Sequence, residues 1–300
     1  ANSSLSPVYQ DFLLQELHLR IGNFNLFSHG GHPLKMIEFI NDCLMTVFFL
    51  AVGLEIKREL LVGELSSVRK AALPFIAACG GMVVPVVIYA LSVASGTPET
   101  RGMAIPMATD IAFSLGVLSL LGKRVPLSLK IFLTAFAVVD DIGGILVIAL
   151  FYSADVAYGY LIAAAVLYVF LYYMGKFGVT QKIFFLFFGV IIWYLFLQSG
   201  IHSTISGVIL AFVIPARPRL DAGKYIERIR DIIGEFPVSK SDNIVLTNAQ
   251  IATLKQVERA SDYVISPLQS LEDNLHGAVS FVILPLFAFA NAGVVFSGSG

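Results

Sequence analysis

Hydrophobic stretches of about 20 residues, separated by shorter polar segments, dominate the chain from residue 36 onward. A helix needs about 20 apolar residues to cross the hydrocarbon core of a bilayer. The pattern therefore predicts an all-α polytopic membrane protein with about eight spans present. The predicted spans are 37–56, 71–94, 103–121, 129–152, 156–174, 182–198, 201–215 and 277–296.

The polar segments divide the chain into four regions. They are an external segment (1–35), a block of transmembrane helices (36–215), a polar insertion (216–275) and a last transmembrane helix (276–296). In the external segment, the alternation over 17–27 around Gly22 favours a short β-hairpin. In the insertion, residues 222–235 and 248–265 have the spacing of amphipathic helices.

Composition agrees with a membrane protein and excludes several other classes. Hydrophobic residues make up 57% of the chain and charged residues 14%, whereas a soluble domain carries about 25% charged residues. The net charge of −1 gives no sign of nucleic-acid binding. Cys43 and Cys79 fall inside predicted spans, where we interpret them as packing residues. Neither a catalytic triad nor the spacing of a bound metal or cofactor is present, so we expect a protein that is not an enzyme.

The basic residues predict the orientation of the spans. Of the 20 lysines and arginines, all but Arg20, Lys35 and Arg101 fall on the side reached after the odd-numbered spans. Because cytoplasmic loops of membrane proteins are enriched in Lys and Arg, that side is predicted to be cytoplasmic. The polar insertion is then cytoplasmic and residue 1 is external.

Asp140 and Asp141 are adjacent acids near the middle of the predicted span 129–152. A charged side chain at that depth costs at least ~2.5 kcal/mol, so we interpret the pair as a binding site for a cation or proton. On a helix the two side chains point about 100° apart. One of them is therefore expected to face an ion path, and the other a neighbouring helix. The alternative is a structural role, in which an aspartate forms a salt bridge to a buried lysine. None of the predicted spans offers such a lysine.

Thr109 and Asp110 form a second polar site inside the predicted span 103–121. Pro106 removes a backbone donor just before them, and either residue could cap a new helix starting at Ile111. In water this would be an ordinary helix cap, but in mid-span it predicts a broken transmembrane helix. Carboxylate, hydroxyl and carbonyl oxygens at such a break suit Na⁺ or Li⁺.

Five further titratable residues lie near the ends of spans. Asp42 could be a helix cap or line a pathway. Glu55 and Glu59 share one face of a helix end, where the alternatives are a solvated terminus and the mouth of a titratable funnel. Glu272 and His276 precede the last span on the same side and could join that funnel, and histidine titrates near neutral pH.

Several motifs in the right order resemble the NhaA-type sodium/proton antiporters, over about residues 11–295. They are Val52-Gly-Leu-Glu55-Ile-Lys-Arg-Glu-Leu60, Ala108-Thr109-Asp110-Ile-Ala-Phe, Leu121-Gly-Lys-Arg-Val-Pro126, Val139-Asp140-Asp141-Ile-Gly143, Ser199-Gly-Ile-His202 and Leu284-Pro-Leu-Phe-Ala-Phe-Ala-Asn-Ala-Gly293.

The resemblance implies a bacterial inner-membrane antiporter that exports Na⁺ or Li⁺ in exchange for protons and is electrogenic and pH-regulated. It also implies an inverted-repeat fold with broken helices and a possible homodimer formed through the external hairpin. Asp140 and Asp141 match the family's acidic pair, with Asp141 the main ion ligand, and Thr109 and Asp110 match the broken-helix positions. The residues at positions linked to the funnel and the pH response are Asp42, Glu55, Glu59, Glu272 and His276.

The resemblance also implies family helices beyond both ends of this sequence, so we expect the 300 residues alone not to transport. Asp273 stands where some family members have a second histidine. An intramembrane aspartyl protease would make the protein an enzyme, but Asp140 lacks the Gly-x-Gly motif that precedes the acid in those proteases. A channel and a structural membrane protein are also compatible with the apolar spans, although a structural role does not explain two acidic sites at mid-bilayer.

Overall fold

The computed structural model describes residues 6–18, 20–21, 24–29, 32–93, 102, 124–151, 156–217, 222–236, 245 and 247–293. The helices in these ranges are α1 (Ser6–Leu14), α2 (Met36–Val62), α3 (Val68–Ser92), α4 (Leu127–Phe151), α5 (Tyr158–Lys176), α6 (Lys182–Ser199), α7 (Thr204–Val213), α8 (Ala222–Gly234), α9 (Asn248–Val264) and α10 (Pro267–Asn291). The two amphipathic helices predicted in the polar insertion are observed as α8 and α9.

Four strands of two residues each precede α2. They are β1 (Arg20–Ile21), β2 (Phe24–Asn25), β3 (Ser28–His29) and β4 (His32–Pro33). β1 pairs antiparallel with β2, and β3 with β4. The pairing of β1 with β2 covers only two residues on each strand, so a hairpin over the whole of 17–27 stays a prediction.

Five of the described helices are long and apolar enough to cross a membrane, namely α2, α3, α5, α6 and α10. α4 is a further apolar helix, of 25 residues, and it carries the adjacent aspartates. The predicted span 103–121 lies outside the described residues. The protein is therefore a multi-pass membrane protein, whereas the number eight stays a prediction.

The predicted spans 201–215 and 277–296 differ from the observed helices. Within 201–215 only Thr204–Val213 is helical, and ten residues rise about 15 Å, half the thickness of the hydrocarbon core. The last span starts earlier than predicted, because Ser266 caps a helix that begins at Pro267. The Ser266 hydroxyl accepts a hydrogen bond from the backbone N–H of Gln269 (3.2 Å).

Helix α2 lies at the centre of the packing. One side contributes Leu50 and Leu54 to a core with α5, α6, α7 and α10. The other side contributes Val52 and Ile56 to a second core with α3 and α4. α2 therefore joins the helix that carries the paired aspartates to the rest of the molecule.

Two glycines allow α2 and α7 to cross with their backbones in contact. A Cβ on Gly207 of α7 would overlap the carbonyl oxygen of Thr46 and lie 3.0 Å from the amide nitrogen of Leu50. A Cβ on Gly53 of α2 would lie 2.8 Å from the Cβ of Ala211. Small residues at a crossing give the close packing on which helix association in membranes depends.

Polar contacts join the start of α2 to the end of α10. Asn41 and Asn291 exchange side-chain hydrogen bonds of 3.3 and 2.8 Å. Tyr9 of α1 donates to the backbone carbonyl of Phe289 (2.7 Å). Both α2 and α10 contain a π-helical segment, Phe39–Leu44 and Val279–Ile283.

Candidate functional site

The adjacent aspartates of α4 differ in their burial. Asp140 is 2% exposed, next to the buried residues Ala137, Val138 and Val139. Asp141 is half-buried. Both make interactions within the protein. One acid of the pair therefore points into the helix packing, while the next remains partly accessible.

The residues just before the paired aspartates share a core with α2. Val138 and Val139 pack in one core with Val52 and Ile56 of α2. Glu55 lies between these two α2 residues in the chain and is partly buried. An acid of α2 is thus flanked by residues that share a core with the residues just before Asp140.

The second cluster joins the end of α2 to α10. Arg58 Nε lies 3.0 Å from Glu272 Oε1, and Arg58 Nη2 lies 3.5 Å from Glu59 Oε1. The side chains of Glu59 and Glu272 are 13% and 21% exposed, whereas that of Arg58 is 37% exposed. We call Glu55, Arg58, Glu59 and Glu272 the α2–α10 charge cluster.

Other charges act on this cluster. Arg58, Glu59 and His276 all act electrostatically on Glu55, and Asp273 adds a negative charge near Glu272. His276 is exposed one turn beyond Glu272 on α10. The cluster contains three carboxylates and one guanidinium group. Its net charge is therefore negative when the carboxylates are ionised, and it becomes less negative as they take up protons.

Lys57 points away from the charge cluster, toward the end of α7. Its ammonium donates to the backbone carbonyls of Phe212 (2.7 Å) and Ala211 (3.3 Å), and also to that of Ile214. These carbonyls lie at the C-terminus of α7, where a helix leaves its last acceptors without intrahelical donors. Neighbouring cations of α2 thus bind different helices, Lys57 to α7 and Arg58 to α10.

Asp42 lies away from the charge cluster, about 20 Å from Glu55 along α2. It belongs to the π-helical segment Phe39–Leu44, and its carboxylate accepts a hydrogen bond from Ser203 Oγ (3.3 Å). Its backbone carbonyl accepts from Trp193 Nε1 (3.2 Å) and Thr46 Oγ1 (2.5 Å). The structure therefore groups Glu55, Glu59, Glu272 and His276, but not Asp42.

Thr109 and Asp110 lie outside the described residues. No site predicted from the sequence includes Lys57, Arg58 or Ser203. The sequence signal for a charge cluster was the basic pair Lys57-Arg58 next to Glu55 and Glu59, because carboxylates near the membrane need cations close by. Among the described residues, no group of three histidine, cysteine or acidic side chains could hold a metal ion.

Comparisons with known proteins identify the family of the chain. The family model described as Na⁺/H⁺ antiporter 1 matches residues 1–300. The chain belongs to the Na⁺/H⁺ antiporter 1 family.

Its relatives in this family include two proteins named Na(+)/H(+) antiporter NhaA, from Bacteroides thetaiotaomicron and Bacteroides fragilis. Each is 77% identical over 300 residues, which is all of this chain and 68% or 69% of the relative. A relative of the same name from Porphyromonas gingivalis is 48% identical over 303 residues, covering 99% of this chain and 67% of the relative. The family is one of transporters rather than enzymes, and the resemblance seen in the motifs is confirmed.

Proposed function

We propose that this protein is an electrogenic antiporter that exports Na⁺ or Li⁺ in exchange for protons, with Asp140 and Asp141 as the central site. The observation that carries the proposal is the pair itself, in which a buried acid stands next to a half-buried acid near the middle of an apolar helix. The names of the relatives support sodium and protons as the substrates.

In the proposed mechanism, Asp141 is the main ligand of Na⁺, and the hydration water of the ion is replaced by carboxylate and carbonyl oxygens. Thr109 and Asp110 supply further oxygens from the broken helix. A proton and Na⁺ compete for the same carboxylates, so each binds after the other has left. Alternating access follows if the protein changes state only when the site is loaded.

We propose that the α2–α10 charge cluster forms the mouth of the cytoplasmic funnel and sets the pH response. Its support is the ion pairing of Arg58 with Glu59 and Glu272, and the proximity of His276 to Glu55. Loss of protons as the cytoplasm becomes alkaline makes the cluster more negative, which attracts Na⁺ to the funnel. Asp42 belongs to a separate position near the other end of α2, where it lines or stabilises the pathway.

The test uses everted membrane vesicles that contain the full-length protein. A pH gradient is established, Na⁺, Li⁺ or K⁺ is added, and the dequenching of a ΔpH-sensitive dye is followed. We expect Na⁺ and Li⁺ to collapse the gradient and K⁺ to leave it intact. Valinomycin with K⁺ should accelerate the collapse, because it removes the membrane potential that electrogenic exchange builds up.

The decisive variant is Asp141→Asn, which removes the charge and keeps the shape of the side chain. We expect it to abolish the response to Na⁺. The matched control is Asp11→Asn, the same change at an exposed residue of α1, which should respond like the wild type. Full activity of Asp141→Asn with an unchanged apparent Na⁺ affinity would refute the assignment of the site.

We further propose that the protein forms a homodimer in the bacterial inner membrane, with the external segment 17–27 pairing between subunits. The antiparallel pairing of β1 with β2 within this segment supports strand pairing with a second copy. Deletion of 17–27 should halve the particle mass in detergent, measured by light scattering. An unchanged mass would contradict this pairing.

A further inference from the structure

Helices α8 and α9 form a helical hairpin with a defined interior. They pack against each other, and the side-chain oxygens of Tyr225 and Ser261 lie 3.0 Å apart. The partly covered residues recur at helical spacing on both helices. They are Tyr225, Ile229 and Ile232 on α8 and Gln250, Thr253, Val257, Ser261 and Val264 on α9, with Ala260 fully buried among them.

One side of this hairpin exposes large apolar residues. Ile226 and Ile233 of α8 are both 58% exposed, and Ile251 and Leu254 of α9 are 36% and 45% exposed. Each follows an interior position by one residue, which is a rotation of about 100° around its helix. Because the helices are antiparallel, this rotation leads to the same side of the hairpin on both. We call these four residues the apolar face.

The opposite side of the hairpin is polar or carries only small residues. It is reached by stepping back one residue from the interior positions, which gives Arg228 and Asp231 on α8 and Ala252 and Gln256 on α9. All four are exposed. The hairpin is therefore amphipathic as a unit, and its apolar face is not covered by the helix partner.

Two exposed cations lie on the same side as the apolar face. Arg230 is one turn from both Ile226 and Ile233, and Lys255 is one turn from Ile251. The exposed acid Glu258 follows the interior residue Val257 and lies on the same side, one turn from Leu254. Apolar side chains with interspersed cations match the phospholipid interface, where isoleucine and leucine enter the acyl boundary and Arg and Lys reach the phosphates.

A short connection holds one end of the hairpin close to the membrane helix α10. Residues Ile265 and Ser266 alone separate α9 from the membrane helix α10, and two extended residues span about 7 Å. The amide of Leu268 donates to the carbonyl of Pro215 (3.3 Å), so the residues after α7 lie beside the start of α10. The end of the hairpin is thus fixed beside the end of α7 and the start of α10.

We propose that the α8–α9 hairpin lies on the predicted cytoplasmic surface of the bilayer, with its apolar face in the phospholipid headgroup region and Arg230 and Lys255 paired with lipid phosphates. The hairpin is then an interfacial membrane anchor. This role depends on the membrane location of the protein and is independent of its transport activity.

The test places nitroxide labels on the full-length protein in phospholipid nanodiscs, after replacement of Cys43 and Cys79 by serine. The face positions are Ile226→Cys, Ile233→Cys and Leu254→Cys, and the matched controls are Arg228→Cys, Ala252→Cys and Gln256→Cys. Electron paramagnetic resonance then measures accessibility to oxygen, which concentrates in lipid, and to a water-soluble nickel chelate. We expect the face positions to favour oxygen severalfold over the nickel chelate, and the controls to show the reverse.

Three outcomes would overturn the proposal. One is equal, water-like accessibility at face and control positions. Another is dipolar broadening between copies at the face positions, which would indicate that a second molecule covers the face. The third is protection from both oxygen and the nickel chelate, which would indicate cover by another part of the protein. In a variant that also carries Ile226→Glu and Ile233→Glu, the nitroxide at residue 254 should become more accessible to the nickel chelate. Two carboxylates in place of isoleucines weaken the insertion of the apolar face into the headgroup region.

Discussion

At the residue scale, the consecutive cations Lys57 and Arg58 explain how one turn of α2 binds two different helices. Arg58 pairs with Glu59 and with Glu272 of α10, while Lys57 donates to carbonyls at the end of α7. Lysine suits a ring of carbonyl acceptors, because its ammonium presents three donors on a flexible stem. Arginine suits carboxylates, because its planar fork can reach two of them at once.

Arg58→Gln tests the charge cluster. It removes the cation that faces Glu59 and Glu272, so the remaining carboxylates repel each other and hold protons to higher pH. We expect the pH profile of Na⁺-dependent dequenching to move to the alkaline side, with the maximal rate less affected. Arg58→Lys should restore part of the shift.

The control for this prediction is Arg228→Gln, the same change at an exposed arginine of α8. Its pH profile should match that of the wild type. A profile for Arg58→Gln that coincides with the wild type over pH 6 to 9 would show that the cluster has no part in the pH response.

Lys57→Met tests the role of Lys57 as a cap for α7. The variant keeps most of the aliphatic stem but leaves carbonyls at the end of α7 without their donor. We expect a loss of about 1 kcal/mol in stability, the typical size of a cation–helix terminus interaction. Thermal unfolding in detergent measures it, with Lys255→Met, at an exposed position in the middle of α9, as the control. Equal melting temperatures for the two variants would contradict a capping role.

At the scale of helices, the α2–α7 crossing depends on the absence of a side chain at Gly207. In Gly207→Ala, the new methyl group would overlap the backbone of Thr46. We expect a loss of about 1–3 kcal/mol, as for other overpacked sites. The matched control is Gly80→Ala in α3, where no described atom lies within 4 Å of the added Cβ. Alanine is the better helix former, so this control should be neutral or stabilising.

The bounds of a helix are predicted best from the sequence where one periodicity of apolar and polar residues dominates the segment. The helices α8 and α9 end within a residue or two of the predicted 222–235 and 248–265, because each has one polar and one apolar side. The predicted start of α10 is too late, because hydropathy gives more weight to the polar residues around Glu272 than to the Ser266-Pro267 cap. The predicted span at 201–215 is too long for a similar reason, since hydropathy counts apolar residues whether or not they are helical.

The contacts between helices depend on the fold and are less predictable. The acids Glu55, Glu59 and Glu272 could be recognised as candidates from their positions at span ends. Their pairing through Arg58 required the packing of α10 against α2. The π-helical segment around Asp42 has no sequence signal of its own, so its contacts with Trp193 and Ser203 could not be expected.

At the scale of the whole molecule, the distribution of basic residues predicts which side of the membrane each segment faces. A cysteine replacing exposed Gln256 of α9 should react with a membrane-impermeant maleimide in everted vesicles but not in intact cells with a permeabilised outer membrane. His18→Cys, before α2, should show the opposite pattern. Labelling of both positions from the same side would contradict the predicted orientation.

The molecule also combines contacts of different character around α2. The crossing with α7 is made by backbone and small residues, which leaves no side-chain freedom at the contact. The connection to α10 through Arg58 and Glu272 is electrostatic, so it responds to salt and to protonation. In the proposed antiporter, we expect a change of charge at Glu272 to affect the contact between α2 and α10 more than the crossing of α2 with α7.

The two glycines of the crossing, Gly53 and Gly207, differ in whether a second substitution can make room for a side chain at their position. The neighbours of Gly207 include the backbone oxygen of Thr46 and the backbone nitrogen of Leu50, which no substitution can make smaller. The nearest neighbour of Gly53 is the methyl group of Ala211 at 2.8 Å, which a change to glycine removes, and the backbone of Val208 lies farther away at 3.1 and 3.2 Å. In a genetic selection, we therefore expect Ala211→Gly to suppress Gly53→Ala, and we expect Gly207→Ala to be repaired mainly by reversion.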